Sequence, residues 1–449
     1  MYAMTAAIVL LLAWSLLAFG AVYDWAFMPA AALAVVGAGI SLFTSGPFRS
    51  RAWLDVWLLV AAAVAAFQLV PLPESLRTLL SPNSTEYFAR VSLAPPPPGA
   101  WLPLSLHPRA WLFGAGAGIA TLLWTRDALE SRGVRKVTRS VAWLGLGVSV
   151  LALIQPTLFP NGLIYGFWIP ESTTAHEIGP MVSRNHYGAW IVLAWPLTVG
   201  YLFAHGRSHW QNRRVARAVL VLSDSRALWL LLSAALMIAS LLVAQSRAGA
   251  IGFAVAVLAL GLLVWRRTGA VGRLSLVGFL ILVWLAVSIW ATPDALLIRF
   301  DRAWSGVDGG RPDIWAQTMG LVRAFPLTGI GLGTFDVVMP AYQTGSFATL
   351  VNHAHNQYLH LLAEGGLLLA VPLVLAGLSF AMLAWRRLRH EQTASVHIRQ
   401  GALAGLVGLA VLSVFEVALL TPAVVFLAAV SAGIVVRGED VARGQDEDD

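Results

Sequence analysis

Residues 361–385 read LLAEGGLLLAVPLVLAGLSFAMLAW, an apolar stretch in which Glu364 is the one charged side chain. A helix needs about 20 apolar residues to cross the hydrocarbon core of a bilayer. This stretch is long enough, and it predicts a membrane-spanning helix. Just before it, residues 351–360 read VNHAHNQYLH, which places His353, His355 and His360 close together at one end of that helix. Histidine titrates near neutral pH and is expensive to place at a membrane boundary, so this cluster is a candidate reaction centre.

The composition extends this prediction to the whole chain. Of 449 residues, 58% are hydrophobic and only 12% are charged, whereas a soluble domain carries about 25% charged residues. Cysteine is absent, which excludes disulfides, thiolate nucleophiles and cysteine metal ligands. The net charge of +7 comes mainly from arginine. In a membrane protein such a balance reports topology and does not indicate nucleic-acid binding.

The hydrophobic pattern predicts an all-α polytopic membrane protein, with about 12 transmembrane helices in one integral membrane domain over residues 1–449. The predicted spans are residues 4–22, 27–44, 53–70, 109–125, 140–157, 186–204, 227–244, 248–265, 274–292, 362–385, 401–418 and 420–436.

Clusters of arginine fall on alternate connections between these spans. By the positive-inside rule these connections are cytoplasmic, as are both termini and the acidic tail, residues 437–449. Residues 293–360 then form a large periplasmic loop between helices 9 and 10. Within this loop we expect a short helix from Asp313 to Phe325 and a glycine-rich turn at residues 329–333, which is either an amide nest for phosphate or, preferably, a flexible turn.

Arginines on the opposite, periplasmic side break the orienting rule and each needs a reason. Arg247 lies in a very short connection, and it is either a snorkelling side chain or an anion clamp. Arg311 precedes Pro312 at a predicted helix start, where an anion is favoured. Pairing with an aspartate of the same loop, Asp308 or Asp313, is the equal alternative. Arg184 is a possible third cation.

The histidine cluster supports two interpretations. If residues 352–362 begin the tenth span, His355 and Tyr358 share a helical face, while His353 and His360 point elsewhere. His355 is then a candidate general base. A zinc site on the His-x-His pair is the weaker idea, because no further ligands follow at suitable spacing. Glu416, near the end of a later span, is interpreted as an interfacial residue.

Four sequence pieces resemble the O-antigen ligase and polymerase superfamily of bacterial envelope glycosyltransferases. They are SRNHY at residues 183–187, SRAG at 246–249, GRPDIW at 310–315, and HAHNQY at 353–358 followed by EGG at 364–366. The twelve predicted spans with one large outer loop resemble the same family.

The resemblance implies transfer of a glycan from undecaprenyl diphosphate to a hydroxyl acceptor, lipid A-core, at the periplasmic face of the bacterial inner membrane. It implies that His355 is the essential histidine and that Arg247 and Arg311 bind the diphosphate. Further substrate-binding candidates are Arg184, Asn356, His353 and Tyr358. The transfer would invert the anomeric centre and need neither a metal nor a cofactor. We expect Arg247, Arg311 and His355 to converge on one cavity.

Several alternatives use the same residues. An O-antigen or exopolysaccharide polymerase and a protein O-oligosaccharyltransferase share this chemistry and differ in the acceptor. A polytopic transporter or flippase is the alternative of another class. It is less favoured because the halves of the chain are not similar and the unusual charges lie at the outer face.

Overall fold

A computed structural model describes residues 2–45, 53–83, 97, 99–105, 107–159, 162–171, 176–210, 224–265, 310–343 and 351–438. Within these ranges the protein is helical, and its extended pairings are isolated bridges such as Ile164 with Trp168 and Ile178 with Met181. The prediction of an all-α protein is confirmed for this part of the chain.

The helices that the structure describes are numbered here in chain order. They are α1 (Tyr2–Leu17), α2 (Asp24–Ser45), α3 (Trp53–Phe67), α4 (Glu74–Leu80), α5 (Pro108–Trp111), α6 (Thr121–Ala128), α7 (Ser131–Leu158), α8 (Arg184–Trp210), α9 (Ser225–Ala244), α10 (Arg247–Trp265), α11 (Arg311–Ala324), α12 (Phe335–Tyr342), α13 (Gln357–His390), α14 (Val396–Leu412) and α15 (Pro422–Val436). Between α5 and α6, the glycine-rich Leu112–Ala120 winds as a π-helix.

Six of these helices are long and apolar enough to cross a membrane: α2, α7, α8, α9, α10 and α13. Four more apolar helices are shorter, namely α1, α3, α14 and α15. The protein is therefore a multi-pass membrane protein. Predicted span 274–292 lies outside the described residues, so the total of twelve stays a prediction.

Helix α8 lies at the centre of the bundle. In its most apolar window 89% of residues are buried, against 28–50% in the other five candidate spans. Its first turns touch α10 closely: a Cβ on Gly188 would lie 3.2 Å from the Cα of Gly249. Small residues at such a crossing let two backbones approach within a membrane. The N-terminal ends of α8 and α10 are therefore brought side by side.

Buried hydroxyls tie α8 to its other neighbours. The Tyr187 hydroxyl donates to Ser240 Oγ of α9 at 2.7 Å, and Ser240 donates to Ser149 Oγ of α7 at 3.1 Å. Hydrogen bonds between helices replace those that water cannot provide in a bilayer. These hydrogen bonds hold the N-terminal end of α8, near Arg184, in place.

Helix α13 begins at Gln357, five residues before the predicted span that starts at 362. The Asn356 side chain accepts hydrogen bonds from the backbone amides of Tyr358 and Leu359, at 3.1 and 3.0 Å, and so caps the helix. Asparagine is among the best N-cap residues, and a cap adopts extended rather than helical backbone angles. The condition that the helix starts at residue 352 is not met, so His355 lies before the helix.

A kink divides α13 at Gly366, whose φ is +60°. The Leu327 carbonyl oxygen would lie 2.2 Å from a Cβ at this position, so a larger residue cannot fit. The amides freed by the kink, those of Leu367 and Leu368, donate to the carbonyls of Pro326 and Leu327 at 2.9 and 3.0 Å. The kink thus attaches α13 to the end of α11.

Residues 310–343, which belong to the predicted large loop, contribute to this attachment. The expected helix Asp313–Phe325 is confirmed as α11, Arg311–Ala324. The glycine-rich turn is neither a phosphate nest nor a flexible turn. Its amides are engaged within the protein: Ile330 donates to Ala363 O at 2.9 Å, and Leu332 donates to Gln68 Oε1 at 2.9 Å. The turn therefore joins α3 and α13.

Arg437 is the first residue of the predicted acidic tail. Arg437 is only 6% exposed, and its guanidinium donates to Leu129 O and Ser131 Oγ at 3.1 and 2.9 Å. This arginine belongs to the packed bundle, while residues 439–449 lie outside the described part.

Candidate active site

Four segments of the chain meet at the carboxylate of Glu416, in the connection between α14 and α15. Its Oε1 lies 3.2 Å from Nδ1 of His355. Its Oε2 accepts a hydrogen bond from Asn185 Nδ2 at 2.5 Å and lies 3.7 Å from a guanidinium nitrogen of Arg311. Glu416 is only 4% exposed, so its carboxylate lies inside the protein, a burial that the interfacial interpretation did not anticipate.

The charge of Glu416 is stabilised by its neighbours. Burial alone would raise the pKa of this carboxyl, but the hydrogen bond and charge of His355, with the nearby His186 and Arg311, lower the pKa to about 2. A buried carboxylate stays ionised when such partners surround it. The site therefore contains a fixed negative charge among positively charged or protonatable groups.

His355 adopts an unusual backbone conformation. Its φ is +48°, in the left-handed region, where residues other than glycine are uncommon and cluster at functional sites. The conformation places the imidazole beside Glu416 while its side chain remains 37% exposed. With Nδ1 directed at the carboxylate, Nε2 is left for a ligand.

Arg311 is the first residue of α11. Gly310 precedes it as the N-cap, and Pro312 occupies the first turn, where proline is favoured. A helix N-terminus carries partial positive charge, and a guanidinium beside it adds a full one. The alternative partner Asp308 lies outside the described residues, and the ion pair that the structure gives Arg311 is with Glu416.

Ser246, the neighbour of Arg247, contacts Asn185 of this site. Ser246 Oγ donates to Asn185 Oδ1 at 2.8 Å and accepts from the Gly249 amide at 3.1 Å, so it caps α10, which begins at Arg247. Asn185 in turn donates to Glu416. The beginnings of α8 and α10 are thereby tied to the carboxylate that His355 and Arg311 share.

The other predicted site residues are placed differently. Asn356 Oδ1 is engaged as the cap of α13. Tyr358 is 51% exposed, and its hydroxyl donates to Ala410 O at 2.8 Å, so it does not share a face with His355 as expected. The His353 ring packs against the His360 ring, 5.8 Å away. Burial, with the positive charges of nearby histidines, lowers the pKa of His353 to about 3, so this ring is neutral.

Sequence reasoning missed the residues that join the site together, Glu416, Asn185 and Ser246. An acidic residue between two apolar segments was a usable signal, because ionisable groups near the membrane are rare and usually functional. His186, beside Asn185, also interacts electrostatically with Glu416 and His355.

A cleft of about 380 Å³ lies next to these contacts. The ends of α7 and α9, the start of α8 and the segment before α8 form its walls. Its polar lining residues are Gln155, His176, Glu177, Arg184 and Gln245. Arg184 therefore faces this cleft. Arg247, Arg311 and His355 do not line it, so their expected convergence on one cavity stays a prediction, although Arg311 and His355 meet at Glu416.

A metal centre finds no support in the part of the chain that the structure describes, where no three histidine, cysteine, aspartate or glutamate residues are grouped to hold an ion. The His353-x-His355 pair is divided, since His353 packs on His360 while His355 faces Glu416. Metal-independent chemistry remains a prediction.

A comparison with known protein families finds a match that covers these site residues. The model of the O-antigen ligase family matches residues 232–374, which include Arg247, Arg311 and His355. The match supports the resemblance to the O-antigen ligase and polymerase superfamily over these residues. No curated protein matches the chain significantly.

Proposed function

We propose that this protein transfers a glycan from undecaprenyl diphosphate to a hydroxyl of an acceptor, with lipid A-core as the acceptor. The observation that carries the proposal is the meeting of His355 and Arg311 at the buried carboxylate of Glu416. It joins a candidate base to an anion-binding group in a chain of the O-antigen ligase and polymerase superfamily.

In the proposed mechanism His355 is the general base. Glu416 accepts a hydrogen bond from Nδ1–H, which fixes the tautomer with a free lone pair on Nε2. Nε2 takes the proton of the acceptor hydroxyl as its oxygen attacks the anomeric carbon. The bond from that carbon to the diphosphate oxygen breaks, and undecaprenyl diphosphate leaves with the electron pair. One displacement inverts the anomeric centre.

The leaving group needs positive charge. In this proposal Arg311, at the N-terminus of α11, and Arg247, at the N-terminus of α10, supply it. Guanidinium groups bind phosphate oxygens in pairs and remain charged at any physiological pH. Donors that are fixed in place before the reaction stabilise the charge that develops on the leaving group.

The sidedness follows from the arginines at the other ends of the helices. α13 begins beside His355 and ends with Arg387 and Arg389, and the positive-inside rule assigns such an end to the cytoplasm. The proposed site then faces the periplasm from the bacterial inner membrane. The lipid-facing apolar surface of the helices would accommodate the polyprenyl chain.

A polymerase or a protein O-oligosaccharyltransferase would use the same residues on another acceptor, and a flippase would move the donor without transfer. The experiment therefore uses purified protein, the undecaprenyl-diphosphate glycan, and lipid A-core or a second lipid-linked glycan as acceptor. His355→Gly is the test variant because glycine accepts the left-handed backbone of this position. His390→Ala, at an exposed histidine that ends α13, is the control.

We expect glycan on lipid A-core with the wild type and with His390→Ala. The glycine variant should be slower by about 10²–10⁴-fold, the usual contribution of a general base, and added imidazole should restore part of the rate. Longer lipid-linked chains would instead establish a polymerase. Absence of transfer to either acceptor, with the two variants indistinguishable from the wild type, would refute the transferase proposal.

A further inference from the structure

We propose that the cleft bounded by α7, α8 and α9 is a glycan subsite, which holds a sugar unit of a substrate while transfer occurs beside it. The inference rests on the proposed function and adds a binding site for the hydroxyl-rich part of the substrate. No phosphate or lipid group is assigned to this cleft.

The lining has the chemistry that a sugar requires. Gln155 and Gln245 supply carboxamides, Glu177 a carboxylate, and Arg184 a guanidinium, while Phe159 adds an aromatic ring. Such a mixture offers both donors and acceptors to hydroxyl groups, which are donors and acceptors themselves. A volume of about 380 Å³ falls within the range of small-molecule pockets, roughly 300–1,000 Å³.

The side chain of Gln155 gives the strongest indication that the cleft binds a polar ligand. The side chain lies in the last turns of α7 and is 5% exposed. Its Oε1 has no hydrogen-bond partner among the described residues. Buried polar atoms are nearly always hydrogen-bonded, because an unsatisfied one loses its water without compensation. A sugar hydroxyl in the cleft can donate to this oxygen.

The cleft is joined to the proposed transfer site through two pairs of consecutive residues. Arg184 lines the cleft, while the next residue, Asn185, donates to Glu416. Gln245 lines the cleft, while the next residue, Ser246, donates to Asn185. A sugar held by the first member of each pair therefore lies one residue away from the contacts that position His355.

The first test measures the KM for each substrate separately. Gln155→Leu removes the carboxamide at nearly constant size, and Gln392→Leu makes the same change at an exposed glutamine after α13. We expect the cleft variant to raise one KM about tenfold or more with kcat within about threefold, which corresponds to lost uniform binding. An increase for the acceptor assigns the subsite to the acceptor, and an increase for the donor assigns it to the donor glycan.

The second test does not depend on activity. Because the chain lacks cysteine, His176→Cys at the cleft and Gln392→Cys outside it each introduce a single exposed thiol. The rate of maleimide labelling is measured in detergent with the undecaprenyl-diphosphate glycan, with lipid A-core, and with neither. We expect one glycan substrate to slow labelling at position 176 by about fivefold or more and to leave position 392 unchanged.

The two tests separate the subsite from the function. Protection at position 176 without any transfer would support the subsite and refute the proposed function. Transfer with unchanged KM values in Gln155→Leu, and with no protection by either substrate, would overturn the subsite and leave the function standing. Failure of both transfer and protection would overturn both.

Discussion

The Nδ1 atom of His355 lies 3.2 Å from Oε1 of Glu416, although 61 residues separate them in the chain. The same carboxylate receives Asn185 and faces Arg311. One buried acid thus orients the proposed base and connects it to the arginine proposed to bind the leaving group. Glu416 acts through His355 and is a positioning residue.

Replacing Glu416 tests this positioning role. Glu416→Gln should lower kcat about 10–100-fold, the usual cost of losing a partner that orients a histidine, and leave the KM of the donor nearly unchanged. The measurement is a full kinetic analysis of transfer, with Glu130→Gln, at an exposed glutamate before α7, as control. An equal loss in both variants would contradict the role.

The pKa of Glu416 predicts a pH dependence of stability. Its folded pKa of about 2 lies below the ordinary value of 4.5. The stabilisation is therefore complete above the ordinary pKa and is lost as pH falls from there towards the folded pKa. We expect the wild type to melt above Glu416→Gln at about pH 6 and the difference to shrink at about pH 3. A constant difference in Tm across this range would argue against the depressed pKa.

The lowered pKa of His353 predicts a second loss of stability as pH falls. Its folded pKa of about 3 lies below the ordinary value of 6.5, so between these values the unfolded chain binds a proton that the folded protein does not. Stability should then decrease as pH falls through this window. His353→Phe should melt with a weaker pH dependence than the wild type, and an unchanged dependence would show that His353 is protonated in the fold.

The function of Arg311 should depend on the planar shape of its guanidinium group as well as on its charge. Arg311→Ala is expected to lower kcat/KM for the donor about 10²–10³-fold, as removal of a preorganised donor does. Arg311→Lys keeps the charge but loses the planar pair of donors, and it should recover only part of this loss. Arg323→Ala, at an exposed arginine in the last turn of the same helix, is the control and should resemble the wild type.

The kink in α13 predicts opposite effects for two glycines of one helix. Gly366→Ala places a Cβ against Leu327 O at a φ of +60°, and it should destabilise the protein by at least about 1–3 kcal/mol. Gly377→Ala meets nothing within 4 Å and should stabilise α13 by about 0.5–1 kcal/mol. Thermal melting of both variants compares them, and similar shifts would exclude the strain argument.

The sequence predicted those parts of the site that depend on local patterns. Arg311 was placed at a helix start because Gly310, Pro312 and Asp313 follow helix-capping preferences. The apolar runs located α9 and α10 within two residues, whereas α7 begins at Ser131, nine residues before its predicted span, because its first turns are polar. His355 was selected for its chemistry, but its helical placement was wrong because the cap at Asn356 was not recognised.

The remainder depends on contacts between distant segments. Glu416 has no local motif, and its role arises because the turn after α14 packs between the beginnings of α8 and α13. The cleft is equally non-local, since Gln155 and Gln245 belong to different helices. No sequence pattern in either helix predicts that the two helices line the same cleft.

The distribution of the Glu416 contacts has a consequence for biosynthesis. Asn185, Ser246, Arg311, His355 and Glu416 enter the membrane in that order, on five separate segments. The carboxylate that orients the histidine is the last of them to be translated. An inserting chain therefore has its arginines in place while it still lacks a correctly oriented base. If the proposed mechanism holds, an intermediate that lacks the connection between α14 and α15 cannot orient His355, and we expect it to be inactive without any inhibitor.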